Sequence, residues 1–255
     1  HLLTFKANSS AHSYVELGDN GLAVRTAEKE VISQNAAVGV YYYKTGKMFV
    51  EYAEEMISKN IRTKGEFYIC PMYNLMIRDG AKVGIQQTEK MHVLGTPAEL
   101  EFFVEHVTAR FGEKPVALCC DHSGFRMKEL AKKLLTKNNV PYIDFGTYVG
   151  KDCDYNEYVA AAVGSMKNKV SDFGMGFCRT GQGVNILANH LPGVRSALVI
   201  DEYTAEYSIR HNCVNFFAVP EKYVSEDMLD RMIKIWKDTT FDGGRHMTRM
   251  KKTMG

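Results

Sequence analysis

In Phe173-Gly-Met-Gly-Phe-Cys178-Arg-Thr-Gly-Gln-Gly183 a cysteine stands where a short apolar run of strand character hands over to a glycine-rich helix start. At such a junction the first helical N–H groups are unpaired and the macrodipole adds partial positive charge, which favours a thiolate or an oxyanion. Gly181 and Gly183 carry no side chain and let a ligand approach the backbone. The segment therefore reads as an anion cradle with a built-in nucleophile or base, and Arg179 sets a cation beside the thiol. Asp121-His122-Ser-Gly124 follows an apolar strand, and His211-Asn212 closes a helix just before another strand. Both are awkward places for purely structural polar residues, so both histidines are candidates for chemistry. Arg245 and Arg249 are four apart, and on a helix they share one face suited to a phosphate. A solvated basic tail is the competing reading, given Lys251 and Lys252 just beyond.

Gly181-Gln-Gly183 also imitates a dinucleotide fingerprint, with Asp201 ending the following strand. Ile186 occupies the place of the third glycine and the segment belongs to a third strand, so a nucleotide cofactor is not expected.

From Pro115 onward strand and helix alternate. Expected strands are Val116 to Cys120, Val140 to Phe145, Phe173 to Cys178, Val194 to Ile200 and Asn215 to Val219. The intervening helices are one with the face Met127, Leu130, Ala131, Leu134 and Leu135, then Tyr155 to Lys167, the helix after Gly181, and Asp201 to His211. Ser225 caps a last helix with the face Leu229, Met232, Ile233 and Trp236. The alternation calls for an α/β fold, a Rossmann-like, doubly wound, five-stranded parallel sheet. Ligands of such sheets bind beyond the carboxyl ends of the strands, which gathers Asp121 and His122 with Cys178 to Gly183. Ahead of it, Ser13 to Arg25 reads as a hairpin around Gly18-Asp-Asn-Gly21, and Ala36 to Lys44 as a strand. Phe49, Ala53, Met56 and Ile57 recur at helical spacing. Thr96-Pro97-Ala98-Glu99 is an N-cap, first-turn proline and capping-box glutamate, opening a helix to about Arg110 with the stripe Leu100, Phe103, Val104 and Val107. Phe111 to Pro115 marks the expected boundary, giving domains 1–112 and 115–255.

The 255 residues suffice for one large or two modest domains, and 45% hydrophobic with 24% charged residues is ordinary for a globular chain. A formal charge of +2 points to no nucleic acid, and no run is apolar and long enough for a membrane span. Six cysteines without CxxC or disulfide-like spacing favour a reducing cytoplasm. The opening residue is His1 rather than Met, as expected of a fragment.

Together, Cys120-Asp-His-Ser-Gly124, Asp144-Phe-Gly-Thr147, Asp154-Tyr155, Cys178-Arg-Thr-Gly-Gln-Gly183, His211-Asn212 and Gly243-Gly-Arg-His246 resemble the ribose-5-phosphate isomerase B family, which also contains the galactose-6-phosphate isomerase subunits. The resemblance covers Pro115 to Gly255. It implies a homodimer with active sites shared between subunits, and an isomerisation of aldose to ketose sugar phosphate that needs no cofactor and no metal. On the matching positions Cys178 is the proton-shuttling base, and Thr180 and Gly181 belong to the loop that holds the enediolate. His211 is linked to ring opening, with Asp121 and Tyr155 nearby and Asn212 on sugar oxygens. Arg245, Arg249 and His122 hold phosphate, and Lys222 replaces a frequent arginine, keeping charge without the bidentate fork. Arg179 stands where the family usually has glycine, and Cys213 where an aspartate commonly follows His-Asn. These departures are expected to shift preference away from ribose 5-phosphate, toward a more acidic or longer sugar phosphate.

Residues 1–112 resemble another family. Ala27-Glu-Lys29, Asn35-Ala-Ala-Val-Gly-Val-Tyr-Tyr42, Gly65-Glu-Phe-Tyr68, Tyr73-Asn74 and Leu94-Gly-Thr-Pro97 are similar to the C-terminal part of sugar-phosphate nucleotidyltransferases, as a truncated α/β domain without the nucleotide loop. Glu28 and Lys29 match the pair that would contact sugar phosphate. Two alternatives to an isomerase follow: a sugar-1-phosphate nucleotidyltransferase fused to an isomerase domain, or a non-catalytic sugar-phosphate sensor.

Overall fold

The computed structural model describes residues 1–254. The chain forms two compact units, residues 1–93 with 242–255, and residues 94–241. The expected boundary at Phe111 to Pro115 thus lies inside the second unit, and the last helix belongs to the first.

In the second unit the strands are β6 (Val116–Cys120), β7 (Tyr142–Asp144), β8 (Gly174–Cys178), β9 (Ser196–Leu198) and β10 (Phe216–Pro220). They form one parallel sheet in the order β7-β6-β8-β10-β9. β6 to β7 steps one way and the chain then returns to the other side of β6, so the switch point lies between the ends of β6 and β8. Because successive side chains alternate faces, Leu118 and Cys120 enter one layer of core with Met127, Leu135, Ile209, Leu229 and Trp236. Ala117 and Cys119 enter the other with Val159, Val184 and Ala188. The layers are built by α4 (Phe125–Lys137), α7 (Glu202–Asn212) and α8 (Glu226–Asp238) on one side and by α5 (Asn156–Lys167) and α6 (Gln182–His190) on the other. Ser225 caps α8 by accepting from Met228 N, and Leu229, Met232, Ile233 and Trp236 are all buried, as their spacing predicts.

The same unit opens with α3 (Pro97–His106), whose capping box between Thr96 and Glu99 forms as expected. Its stripe does not. Leu100 and Val104 are about half exposed, and of the expected apolar positions Val107, at the C-cap, is the buried one.

The first unit is a mixed five-stranded sheet, β3-β2-β4-β1-β5, from β1 (Leu2–Lys6), β2 (Ser13–Leu17), β3 (Ala23–Glu28), β4 (Asn35–Tyr41) and β5 (Ile85–Gln87). β2 and β3 form the expected hairpin, and Gly21 supplies the positive φ at its turn. β1 runs antiparallel to β4 and parallel to β5. The helices α1 (Gly46–Ser58), α2 (Ile69–Arg78) and α9 (Gly244–Met254) complete the unit. In α1 Met56 is buried as expected, whereas Ile57 faces solvent. No helix among the described residues is long and apolar enough to cross a membrane.

Candidate active site

Three chain turns meet at the carboxyl ends of β6, β8 and β10. After β6, Asp121 is buried, and its Oδ1 accepts a hydrogen bond from Gly124 N at 2.8 Å, closing the turn that starts α4. Gly124 is required there because a Cβ would stand 2.2 Å from the Phe177 carbonyl oxygen on β8. Burial raises the Asp121 carboxyl above the usual range, and the donated N–H of Gly124 offsets this only in part. His122 is at the exposed rim, its Nδ1 3.0 Å from the Cys153 carbonyl and 3.2 Å from the Asp152 carboxylate. The Cys153 N–H also donates to the same Nδ1 at 3.3 Å, so the ring is held to the 152–153 segment.

After β8, Cys178 ends the strand, is 5% exposed, and packs in the apolar layer with Ala117, Val159 and Val184. Arg179 and Thr180 follow as exposed loop residues. Gly181 then starts α6 with φ of 72°, and a Cβ would meet Leu198 Cδ1 at 2.4 Å. That left-handed start disfavours any other residue and lets α6 begin directly after the turn that follows β8. Gly183 has a comparable reason: its missing Cβ leaves room for the Tyr155 ring, whose hydroxyl would otherwise lie 2.6 Å away. Tyr155 is the residue before α5. After β10, Glu221 N donates to the Cys178 carbonyl at 3.0 Å and Lys222 N to the Arg179 carbonyl at 3.1 Å, which ties the third turn to the second.

Asp121, His122, Tyr155, Cys178, Arg179, Thr180, Gly181, Gly183 and Lys222 are thus at one end of one sheet. His211 and Asn212 are not. They end α7 and precede β10, and β10 pairs with β8 from Phe216↔Gly174 to Pro220↔Cys178. A five-residue strand spans roughly 13 Å, so within one chain His211 and Asn212 sit at the opposite end of the sheet from Cys178. There the His211 ring meets Tyr207 edge-on at 4.9 Å, and Tyr207 stacks on Tyr203 at 4.3 Å. Arg245 and Arg249 do share the exposed face of a helix, α9, which buries His246, Met247 and Met250 and belongs to the first unit. The second unit by itself therefore holds the base-and-cradle half of the expected constellation.

The rim is held by charged groups that no motif announces. Arg126 reaches Glu221 at 2.8 Å, linking α4 to the turn after β10. Lys128 is fully buried and bonds both oxygens of Asp144, and Lys132 reaches the same carboxylate at 3.0 Å. Burial works against the charged Asp144, but Lys128, the Gly146 N–H and Lys132 outweigh it and hold the carboxyl below its usual range. Nothing in local spacing announces a buried lysine in the amphipathic pattern of α4. Among the described residues no cluster of His, Cys, Asp or Glu could hold a metal ion.

A parallel doubly wound sheet with a thiol, a carboxyl and a glycine-lined helix start at its switch point defines a class of small-anion-binding α/β proteins. Comparison narrows it. The model of the ribose/galactose isomerase family matches residues 116–253, and the chain belongs to that family of sugar-phosphate aldose–ketose isomerases. Ribose-5-phosphate isomerase B of Escherichia coli (strain K12) is 30% identical over 138 residues, 54% of this chain and 93% of that protein. A ribose 5-phosphate isomerase from Thermotoga maritima superposes with a TM-score of 0.53 at 32% identity, over 55% of this chain and 97% of the other. Ribose-5-phosphate isomerase B from Mycoplasma genitalium with bound ribulose-5-phosphate gives 0.53 at 26%, over 56% and 95%. Residues 1–115 lie outside the matched family region.

Proposed function

We propose that this chain interconverts the aldose and ketose forms of a pentose or hexose phosphate through an enediolate, with Cys178 as the base. The observation that carries this reading is the meeting of Cys178, the buried Asp121 carboxyl and the left-handed Gly181 start of α6 at one switch point. The Cys178 thiolate takes the proton from C2 of the open aldose, the electron pair moves toward the C1 carbonyl oxygen, a proton passes from the C2 hydroxyl to that oxygen, and the same sulfur returns its proton to C1 as the C2 carbonyl forms. Backbone N–H groups from Thr180 to Gly183 stabilise the oxyanion as it forms. Burial of the sulfur suits such a shuttle, because a shielded proton is returned to carbon before water can exchange it.

His211 and Asn212 serve the site of a second copy in this reading, since their own Cys178 lies at the other end of the sheet. Within the second unit His122 and Lys222 hold the phosphate, and Tyr155 closes the sugar side of the cradle. Arg179 beside the base and Cys213 after the His-Asn pair move the preferred substrate away from ribose 5-phosphate toward a longer or more acidic sugar phosphate. For the first unit, the Glu28 carboxylate is engaged by the Ser13 hydroxyl and the Lys29 ammonium by the Tyr68 hydroxyl. That internal pairing gives the nucleotidyltransferase reading no support.

The deciding experiment is turnover across pentose and hexose phosphates by the full chain and by Cys178→Ala. General-base removal should lower kcat by ~10²–10⁴ with substrate still bound. Full turnover in the variant would remove Cys178 from the role. Solvent deuterium entering C2 of a bound sugar phosphate separates an isomerase from a sensor. A panel led clearly by ribose 5-phosphate would defeat the specificity argument.

A further inference from the structure

The second unit holds a cavity of about 300 Å³ at the end of the sheet opposite Cys178. Its wall includes Phe173, Arg195 and Asn215, the residues that lead into β8, β9 and β10. Arg195 is the group that asks for an explanation. Its Nε donates to the Cys213 carbonyl at 2.7 Å and its Nη2 lies 4.0 Å from the Cys213 sulfur, while its Nη1 is buried without a hydrogen-bond partner. No carboxylate in the described residues pairs with it. The one acidic residue of the wall, Asp172, is taken by Lys114 at 2.9 Å. A sheltered guanidinium without counter-charge is unfavourable, and an oxyanion is the group that best matches its fork. A second unpaired donor, the Nε1 of Trp236, belongs to the same wall, and Trp236 is 2% exposed. Phe111 stacks on Trp236 with ring centroids 4.7 Å apart and Phe173 meets it edge-on at 5.5 Å, so one part of the wall is aromatic, while Arg110, Lys167, Lys169 and Lys237 add positive charge elsewhere around it.

We infer that this cavity binds a small organic oxyanion with a planar apolar body, its charged head on Arg195 and its body against the Phe111 and Phe173 rings and the Nε1 edge of Trp236, whose faces are stacked on by Phe111 and Phe217. The volume lies at the lower end of the range for organic ligands and fits a single ring with one charged group. The site is separate from the cradle at Cys178. An occupant would bear on catalysis through Cys213, which Arg195 holds and which directly follows His211 and Asn212; only that consequence rests on the isomerase reading.

Trp236 is the single tryptophan of the chain, so its emission reports on this cavity alone. The test is to titrate the full-length protein, without sugar phosphate, with phenyl phosphate and separately with inorganic phosphate. A saturable change in emission with phenyl phosphate, at an affinity at least about tenfold tighter than for inorganic phosphate, is expected from burial of the ring. Arg195→Met should abolish it. Ala109→Phe, which fills the cavity from a partly exposed position of its wall, should also abolish it while leaving the circular dichroism unchanged, and it decides the matter if the arginine variant does not fold. Absence of a saturable change, equal response to inorganic phosphate, or binding that survives Ala109→Phe would overturn the assignment. Because the readout involves no turnover, its failure is distinct from failure of the isomerase reading.

Discussion

Asp121 and Asp144 are two carboxyls of the same rim moved in opposite directions. For Asp121 the folded carboxyl titrates above its unfolded value, so ionising it costs the folded state more than the unfolded one. Stability from this group is present below the unfolded carboxylate range and is lost as pH rises through the raised folded value. Asp121→Asn keeps an acceptor for Gly124 N and removes the charge. Its melting temperature at pH 7 should therefore equal or exceed that of the parent while isomerisation falls; a clear drop in thermal stability would contradict the burial argument. Asp144 behaves the other way. Its contribution is present above the unfolded range near pH 4 and disappears as pH falls through the depressed folded value. Removing its buried partner in Lys128→Met leaves the carboxylate with the Gly146 N–H and with Lys132 as its counter-charge. A loss of about 3 kcal/mol in denaturant unfolding at pH 7 is expected, together with a weaker acid limb, and a variant as stable as the parent would show that Lys132 suffices.

At the scale of elements, the cradle depends on where α6 begins. Gly181→Ala combines a left-handed backbone with a Cβ 2.4 Å from Leu198 Cδ1 and 3.3 Å from Pro220 N. The strain of a non-glycine residue in that conformation is about 1–2 kcal/mol, and the helix start must shift to relieve the contact. The expected result is a modest loss of stability with a larger loss of kcat/KM, measured by melting and steady-state kinetics; unchanged kinetics would detach the α6 start from the chemistry. The helices and strands of the second unit were legible because short apolar runs bounded by turn residues, such as Val116–Cys120, suit strands covered on both faces, and because caps such as Ser225 and Thr96 sit at fixed offsets. β1, β5 and α2 were not. Leu2–Lys6 is a short run in which Thr4 interrupts the apolar residues, Ile85–Gln87 is too short to show a period, and Pro71 interrupts the pattern that opens α2. The stripe of α3 misled because helical spacing says which side chains share a face and not whether anything covers it. Strand direction was available for the site itself: in a parallel sheet, residues ahead of β10 must be at the far end from residues after β8.

That separation sets the prediction for the whole molecule. If the second copy supplies His211, then Cys178→Ala and His211→Ala chains, each almost inactive, should complement when mixed during refolding. One site of every mixed dimer keeps both groups, and random pairing yields about a quarter of parental activity. Mixing that restores nothing would place the complete site in one chain. The placement of Arg195 could not be read from the sequence, since its cavity is assembled from segments that share no motif.

The path of the backbone has a mechanical corollary. The segments Leu2–Lys6 and Gly244–Met254 both belong to the first unit, and the second is inserted between them. Tension applied through these two segments would load the first unit directly and reach the inserted sheet only after α9 had been stripped from its neighbours.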